Sequence, residues 1–291
     1  MNSHYYTLIT GASEGFGKAL AIECAIRKMN LILVALPGPE LHSLAGLIKR
    51  NYCVDVFSIE KDLCEDGSCI ELYNEVKALK LQVNILINNA GIGSTVLFEN
   101  GSIGLYERQI KLNVLATTLI TRLFLDTLKR NAPAYILNIG SLASFFCLPK
   151  KQVYGATKSF IYSFSRSLNK ELKPDNIHVS VLCPGGMNTN LAITLMNKLG
   201  NFISRLSIMN PEQVVPFAIN RMLKRKEVII PGRVNHLFLL LDKLLPGFIK
   251  KNINKKFMKK LNPNDPFINS SQKLIAVQSL SKVALFFISQ N

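Results

Sequence analysis

Tyr5-Tyr6-Thr7-Leu8-Ile9-Thr10-Gly11-Ala12-Ser13-Glu14-Gly15-Phe16-Gly17-Lys18 is a short apolar run, a glycine-spaced turn and the start of a helix that continues through Ala19, Leu20 and Ala21 to Lys28. Glycines let a backbone turn tightly and approach a ligand closely. The helix that follows offers unpaired N–H groups and the positive end of its dipole. A strand, glycine turn and helix in that order suit a dinucleotide pyrophosphate. The spacing is G-x-x-x-G-x-G rather than the better-known G-x-G-x-x-G, and a plain tight turn is the simpler reading of the glycines taken alone.

Working outward, apolar runs recur at 5–10, 30–36, 53–58, 83–88, 134–140, 177–183 and 227–230, with helical stretches between them. Strands alternating with helices predict an α/β fold, a doubly wound parallel sheet of seven strands covered by helices on both faces. In such sheets ligands sit at the carboxyl ends of the strands, where Gly11, Asn88, Ser141 and Pro184 all fall. With 291 residues the chain is long enough for one such domain.

A second stretch carries chemistry. Tyr154-Gly155-Ala156-Thr157-Lys158 lies in an apolar-periodic run from Gln152 to Leu172, with Ser141 thirteen residues before the tyrosine. Residues four apart share a helix face, so Lys158 is expected beside the Tyr154 phenol. A nearby cation favours the phenolate and would bring Tyr154 toward proton exchange near neutral pH. A tyrosine and a lysine at this spacing also occur on ordinary solvated helix faces.

Thr10-Gly11 to Gly17, Asn88-Asn89-Ala90-Gly91, Asn113, Ser141, Tyr154 to Lys158 and Pro184-Gly185 stand in an order and spacing that resembles the short-chain dehydrogenase/reductase family over roughly residues 5–232. The resemblance implies a Rossmann-type fold and NAD(P)(H)-dependent chemistry at a C=O or CH–OH group. It implies catalytic roles for Asn113, Ser141, Tyr154 and Lys158. Asn113 would hold a water in a relay to Lys158, Ser141 would bond the substrate carbonyl, Tyr154 would exchange the proton, and Lys158 would also hold the nicotinamide ribose. Cofactor contacts would come from Gly11, Ser13, Glu14, Gly15, Phe16, Gly17, Leu36, Asp62, Leu63, Asn89, Ala90, Gly91, Tyr154, Lys158, Pro184, Gly185 and Thr189. Among these, Asp62 would meet the adenine amine and Thr189 the carboxamide. Each also has a plainer reading: Asn113 as a helix kink, Asp62 as a cap for the helix after Leu63, Pro184-Gly185 as a turn.

The loops that line the substrate pocket in the family correspond to Ile92–Phe98, Phe145–Pro149 and Met187–Arg205. The segment Phe145-Phe146-Cys147-Leu148-Pro149 holds no charge, which favours an apolar, lipid-derived ketone or alcohol. The runs Gly17-Lys18-Ala19 and Ala21-Ile22-Glu23-Cys24 look like those of reductases of long-chain 3-oxoacyl thioesters and of 3-ketosphinganine. The second strand ends Ala35-Leu36-Pro37-Gly38, with neither the acid that binds an NAD ribose nor the base that binds an NADP phosphate. NADP(H) is the expected cofactor, with NAD(H) as the alternative.

Six cysteines show no CxxC pair and there are four histidines, so neither a zinc site nor a disulfide framework is expected, and no metal. A first strand so near Met1 and the absence of a long uncharged apolar run predict neither signal peptide nor spanning helix. A reduced cytoplasmic setting follows. The net charge of +16 is concentrated late: residues 151–291 carry 21 Lys and Arg against 6 Asp and Glu. Leu237 to Leu241, Leu244, Leu245, Phe248 and Ile249 precede Lys250, Lys251, Lys255, Lys256, Lys259 and Lys260, a pattern that suits contact of residues 237–260 with the anionic inner face of a membrane. The plainer reading is a segment that closes the core beside a solvated basic face. The expected organisation is a catalytic domain at 1–232, an apolar and basic helical extension at 233–261, and a linker with a terminal helix at 262–291. The family resemblance implies a dimer or tetramer. The rival readings are a catalytically silent nucleotide sensor and a basic nucleic-acid or scaffold protein; aromatic residues are not interleaved with the lysines, which disfavours a nucleic-acid partner.

Overall fold

The computed structural model describes residues 4–188 and 208–244. Seven strands form one parallel sheet in the order 3-2-1-4-5-6-7: β1 (Tyr5–Thr10), β2 (Asn30–Ala35), β3 (Val56–Glu60), β4 (Gln82–Asn88), β5 (Ala134–Ile139), β6 (Ile177–Leu182) and β7 (Val228–Ile229). The order reverses at β1 and β4, which opens a crevice at their carboxyl ends.

Period-2 alternation assigns side chains to the two faces. In β2, Leu31 and Leu33 join one core cluster and Ile32 and Val34 the other. The first cluster is covered by α1 (Gly15–Ile26), α2 (Pro39–Tyr52) and α7 (Pro211–Leu223). The second is covered by α3 (Ser68–Ala78), α5 (Thr117–Arg130) and the end of α6 (Gln152–Leu172). Both faces of each central strand are thus buried, which is why these strands read as continuous apolar runs.

Two strands depart from the sequence reading. The third begins at Val56 rather than at 53, because Cys53 ends α2 in the left-handed region (φ 53°) and the chain needs Val54 and Asp55 to turn back into the sheet. The seventh keeps only Val228 and Ile229. Between α4 (Ile103–Ile110) and α5, Lys111–Ala116 adopts the wider π geometry, with Asn113 buried within it. After β7, α8 (Arg233–Leu244) starts the expected extension, and the rest of that extension, the linker and the terminal helix lie outside the described residues. Among the described residues no helix is long and apolar enough to cross a membrane, and no group of three or more His, Cys, Asp or Glu is set to hold a metal ion.

Candidate active site

The glycine turn joins β1 to α1 in a space that admits no side chains. Gly11 has φ +64°, and a Cβ there would lie 2.9 Å from the Ala90 Cα; a Cβ at Gly17 would run into the Gly11 carbonyl oxygen. This packing draws α1 against the turn, and Glu14 caps the helix without a side-chain bond, leaving the leading N–H groups of α1 for an anion. Thr10 and Asn89 fix the turn to the end of β4. Thr10 Oγ1 accepts the Asn89 and Ala90 N–H groups at 3.0 Å each, and Asn89 Nδ2 donates to the carbonyls of Thr10 and Gly11 at 2.9 Å. Beneath, a buried polar chain crosses the sheet: Asn88 Nδ2 donates to Thr121 Oγ1 and Asn138 Oδ1, and Asn138 Nδ2 donates to Ser165 Oγ. Asn88 therefore holds the central strands to α5 and α6.

At the other end of the crevice, the side chains singled out as catalytic lie around α6. Lys158 Nζ is buried and donates to the Ile139 carbonyl at 2.7 Å; it lies 5.8 Å from the centre of the Tyr154 ring. The Ser141 hydroxyl bonds the Tyr154 phenol, and Ser141 Oγ also accepts the Ala143 N–H at 3.1 Å. Asn113 is fully engaged as a strut. Its Oδ1 accepts the Ile92 N–H at 2.9 Å, and its Nδ2 donates to Ile92 O and Thr157 Oγ1 at 3.0 Å each. The π turn aims it there, so Asn113 both kinks its helix and reaches the crevice. Gly91 leaves room for it, since a Cβ would lie 3.0 Å from Asn113 Oδ1.

The electrostatics correct one expectation. Burial pushes the Tyr154 phenol above its ordinary value, and the Ser141 bond offsets this only in part. Burial likewise lowers Lys158 to about 8. The expected neighbouring cation does not bring the phenol toward neutrality: burial is the largest influence on it, and Lys158 is not among the groups that lower it. Cys183, at the end of β6, accepts the Ser141 N–H and is pushed up to about 12 by burial. A proton-donating phenol is the form present at neutral pH.

Other expected cofactor contacts divide. Ser13, Glu14, Gly15 and Phe16 lie on the turn, and Pro184 and Gly185 follow β6, where Pro184 O accepts the Leu142 N–H at 2.8 Å. Asp62 follows β3 but its carboxylate is occupied: Oδ1 accepts the Cys64 N–H at 2.9 Å and Oδ2 pairs with Arg108 at 3.1 Å. It closes a local turn rather than capping α3, which starts at Ser68, so the cap reading is wrong. Leu63 packs into the core. Leu36 is 54% exposed just past β2, and the nearby Gly38 N–H donates to Glu60 Oε1 at 3.0 Å. A cleft of about 750 Å³ opens beside the glycine turn, lined in part by Ser13, Glu14, Lys18, Pro39, Glu40 and Glu212. It runs between α1, α2 and the start of α7, and neither Tyr154 nor Lys158 lines it. Thr189 and most of Met187–Arg205 lie outside the described residues.

Four participants were not singled out from the sequence. Thr10 and Thr157 stand inside quoted motifs, and Cys183 directly precedes Pro184. Lys151, three residues before Tyr154, places its Nζ 5.5 Å from the Tyr154 ring centre. Its signal was present in the Lys150-Lys151 pair, just beyond the uncharged Phe145–Pro149 loop.

Comparison with known proteins gives a consistent answer. The family model described as short chain dehydrogenase matches residues 6–199. Over 193 residues the chain is 30% identical to the 3-oxoacyl-[acyl-carrier-protein] reductase FabG of Aquifex aeolicus, covering 66% of this chain and 78% of that protein. It is also 30% identical over 193 residues to the very-long-chain 3-oxoacyl-CoA reductase of Mus musculus, covering 64% of this chain and 61% of that one. Among solved structures, a short-chain dehydrogenase from Sphingobium yanoikuyae in complex with NADPH superposes with a TM-score of 0.72 at 27% identity, covering 89% of this chain and 97% of that one.

Proposed function

Since the chain belongs to the short-chain dehydrogenase/reductase family and is an NAD(P)-dependent oxidoreductase, we propose that it reduces the carbonyl of an apolar, lipid-derived substrate, or oxidises the corresponding alcohol, with Asn113, Ser141, Tyr154 and Lys158 as the working residues. The observation that carries this reading is the arrangement at α6: a phenol bonded to Ser141, a buried ammonium near its ring, and Asn113 bonded to Thr157 in the same helix.

The glycine turn fits a dinucleotide, because Gly11 and Gly17 let the turn pack against Ala90 and against itself with no side chain between, and the leading N–H groups of α1 carry no side-chain cap. Gly11, Ser13, Glu14, Gly15, Phe16 and Gly17 would hold its pyrophosphate, Leu36 and Leu63 would border the adenosine with Asn89, Ala90 and Gly91, and Pro184, Gly185 and Thr189 would border the nicotinamide. Bound nicotinamide supplies or accepts the hydride. Tyr154 Oη then gives its proton to the substrate oxygen in the reducing direction, and its raised pKa keeps that proton in place until needed. Ser141 Oγ orients the same oxygen. Lys158, with a pKa of about 8, can return a proton to Tyr154, and the relay would run past Asn113.

NADP(H) is assigned as the working cofactor, with NAD(H) as the alternative; the NADPH complex of the Sphingobium enzyme supports this. The assignment of a lipid-derived substrate draws on the 3-oxoacyl reductases to which the chain is similar. Exposed Ile110, Leu119 and Phe160 on neighbouring helices support assembly into a dimer or tetramer, which light scattering would measure. A turnover screen of ketones of graded chain length with both nicotinamides tests the activity. Absence of any carbonyl reduction or alcohol oxidation would overturn it.

A further inference from the structure

Lys151 is the cation that the proposed proton chemistry does not use. It lies at the start of α6, and its Nζ donates to Thr95 Oγ1 at 2.9 Å while standing 5.5 Å from the Tyr154 ring centre. Thr95 belongs to the segment after β4, and the same segment is fastened by Val96 N–H donating to Lys150 O at 2.9 Å. Gly93, also in that segment, packs on the Tyr154 ring, where a Cβ would lie 3.5 Å from Cε2. The fold thus clasps this segment over the ring and fixes the ammonium next to it.

Among the described residues no carboxylate lies within ion-pair distance of Lys151. One neutral hydroxyl accepts from a group that has three donors. Burial of its stem lowers the Lys151 pKa. The bond to Thr95 is itself exposed, so the remaining donors of Lys151 stay open to a ligand beside the Tyr154 ring.

We propose that Lys151 is a substrate-binding residue that takes an oxygen on C1 of a 3-oxoacyl substrate whose C3 carbonyl is held by Tyr154, so that the enzyme selects 3-oxoacyl groups over simple ketones. This rests on the assignment of Tyr154 given above. The chemistry follows from proximity. A carbonyl bonded to the phenol presents its neighbouring carbons, not its distant chain, to an ammonium beside the ring, and an oxygen two carbons away is the acceptor that would fill the unused donors. The apolar tail would then run along the uncharged Phe145–Pro149 loop. A C1 carboxylate and a C1 thioester carbonyl share this chemistry.

The test uses the full chain with NADPH and three chain-matched ketones: a 3-oxoacyl N-acetylcysteamine thioester, the free 3-oxo acid and a 2-alkanone. The Lys151→Met variant keeps the stem and removes the donors. Its kcat/KM is expected to fall about tenfold or more further on the two oxygenated substrates than on the 2-alkanone, as for loss of a hydrogen bond to a charged group. A larger loss on the free acid identifies the carboxylate as the preferred source; a larger loss on the thioester identifies the acyl thioester. An equal loss on all three ketones, or a wild-type preference for the 2-alkanone, overturns the proposal. Tyr154→Phe in the same panel separates the two readings, because full turnover in that variant would refute the Tyr154 assignment whatever Lys151 does. Should wild type turn over none of the three, calorimetric binding of the 3-hydroxy acid and of the matched 2-alkanol still decides. Lys151→Met must weaken the acid selectively, and equal binding by both proteins refutes the role.

Discussion

The Lys158 ammonium donates a 2.7 Å hydrogen bond to the Ile139 carbonyl at the end of β5, so the cation of α6 is anchored to the sheet rather than carried free on a helix surface. That bond supplies an acceptor for a group that burial otherwise drives toward neutrality, from 10.5 to about 8. The consequence is a measurable pH dependence. Below about 8, Lys158 is charged in the folded and unfolded chains, and the cost of burying the charge is carried in full. Between about 8 and 10.5 the folded chain has released the proton while the unfolded chain still holds it, so this group makes stability rise with pH. Wild type should therefore gain about 2 to 3 kcal/mol relative to Lys158→Met between pH 7 and 10, read from urea unfolding of both proteins. Cys24, whose thiol burial raises to about 12, acts in the opposite sense but equally in both chains. A difference that does not change with pH would show that Lys158 keeps its proton throughout.

Replacing Tyr154 by Phe retains the ring against Gly93 and removes only the exchangeable proton. Turnover should drop by at least ~10²-fold while nicotinamide affinity stays near wild type, measured by steady-state kinetics and by titration of the dinucleotide. Near-normal turnover would remove Tyr154 from the chemistry.

Gly17 tests the glycine turn. A Cβ at this position would collide with the Gly11 carbonyl and press on Asn89 Nδ2, both parts of rigid backbone or of a fully bonded side chain. Gly17→Ala should cost about 1 to 3 kcal/mol of stability and should weaken dinucleotide binding more than tenfold, as the turn is forced open. Thermal unfolding and fluorescence titration report the two effects. A fully stable variant with unchanged cofactor affinity would mean that α1 can slide away at no expense.

These tests also mark what was legible beforehand. All seven strands and the limits of α6 could be read because strands buried on both faces give unbroken apolar runs and because α6 carries a helical period along its whole length. The start of β3 was missed since nothing in Cys53-Val54-Asp55 marks a left-handed residue. The convergence of Asn113, Ser141, Tyr154 and Lys158 was visible only through motif spacing. Their energies were not: whether a lysine lowers the phenol's pKa depends on how deeply both are buried, and that burial is set by how α6 packs on β5 and β6. Lys151 escaped for a similar reason, as its importance lies in Thr95 on another strand's loop.

Cofactor choice turns on the end of β2, where Leu36-Pro37-Gly38 carries no charged side chain. Leu36 is exposed past the end of β2, Glu14 stands at the start of α1, and Glu60 occupies the Gly38 N–H. Leu36→Arg, or Glu14→Ser, should raise NADPH affinity about tenfold more than NADH affinity by adding a fork-shaped donor or removing repulsion. Parallel changes for both dinucleotides, measured by titration, would show that neither side chain faces the ribose 2′ position.

The last prediction concerns the basic end of the chain. Leu237 and Leu240 on α8 are 51% and 55% exposed, and the sequence continues through further apolar residues to six lysines between Lys250 and Lys260 with no intervening acid. Exposed leucines beside a dense cationic run suit an anionic lipid surface, where each lysine contributes about 1 kcal/mol and apolar insertion adds to it. The intact protein should co-sediment with vesicles containing phosphatidylserine at low salt, release at high salt, and ignore vesicles of neutral lipid. Changing the six lysines to glutamine should abolish the binding, and changing Leu237 and Leu240 to serine should weaken it without altering its salt dependence. Binding that is indifferent to lipid charge, salt and the lysines would return this segment to the role of a solvated edge of the domain, and the apolar substrate would then have to reach the crevice from solution.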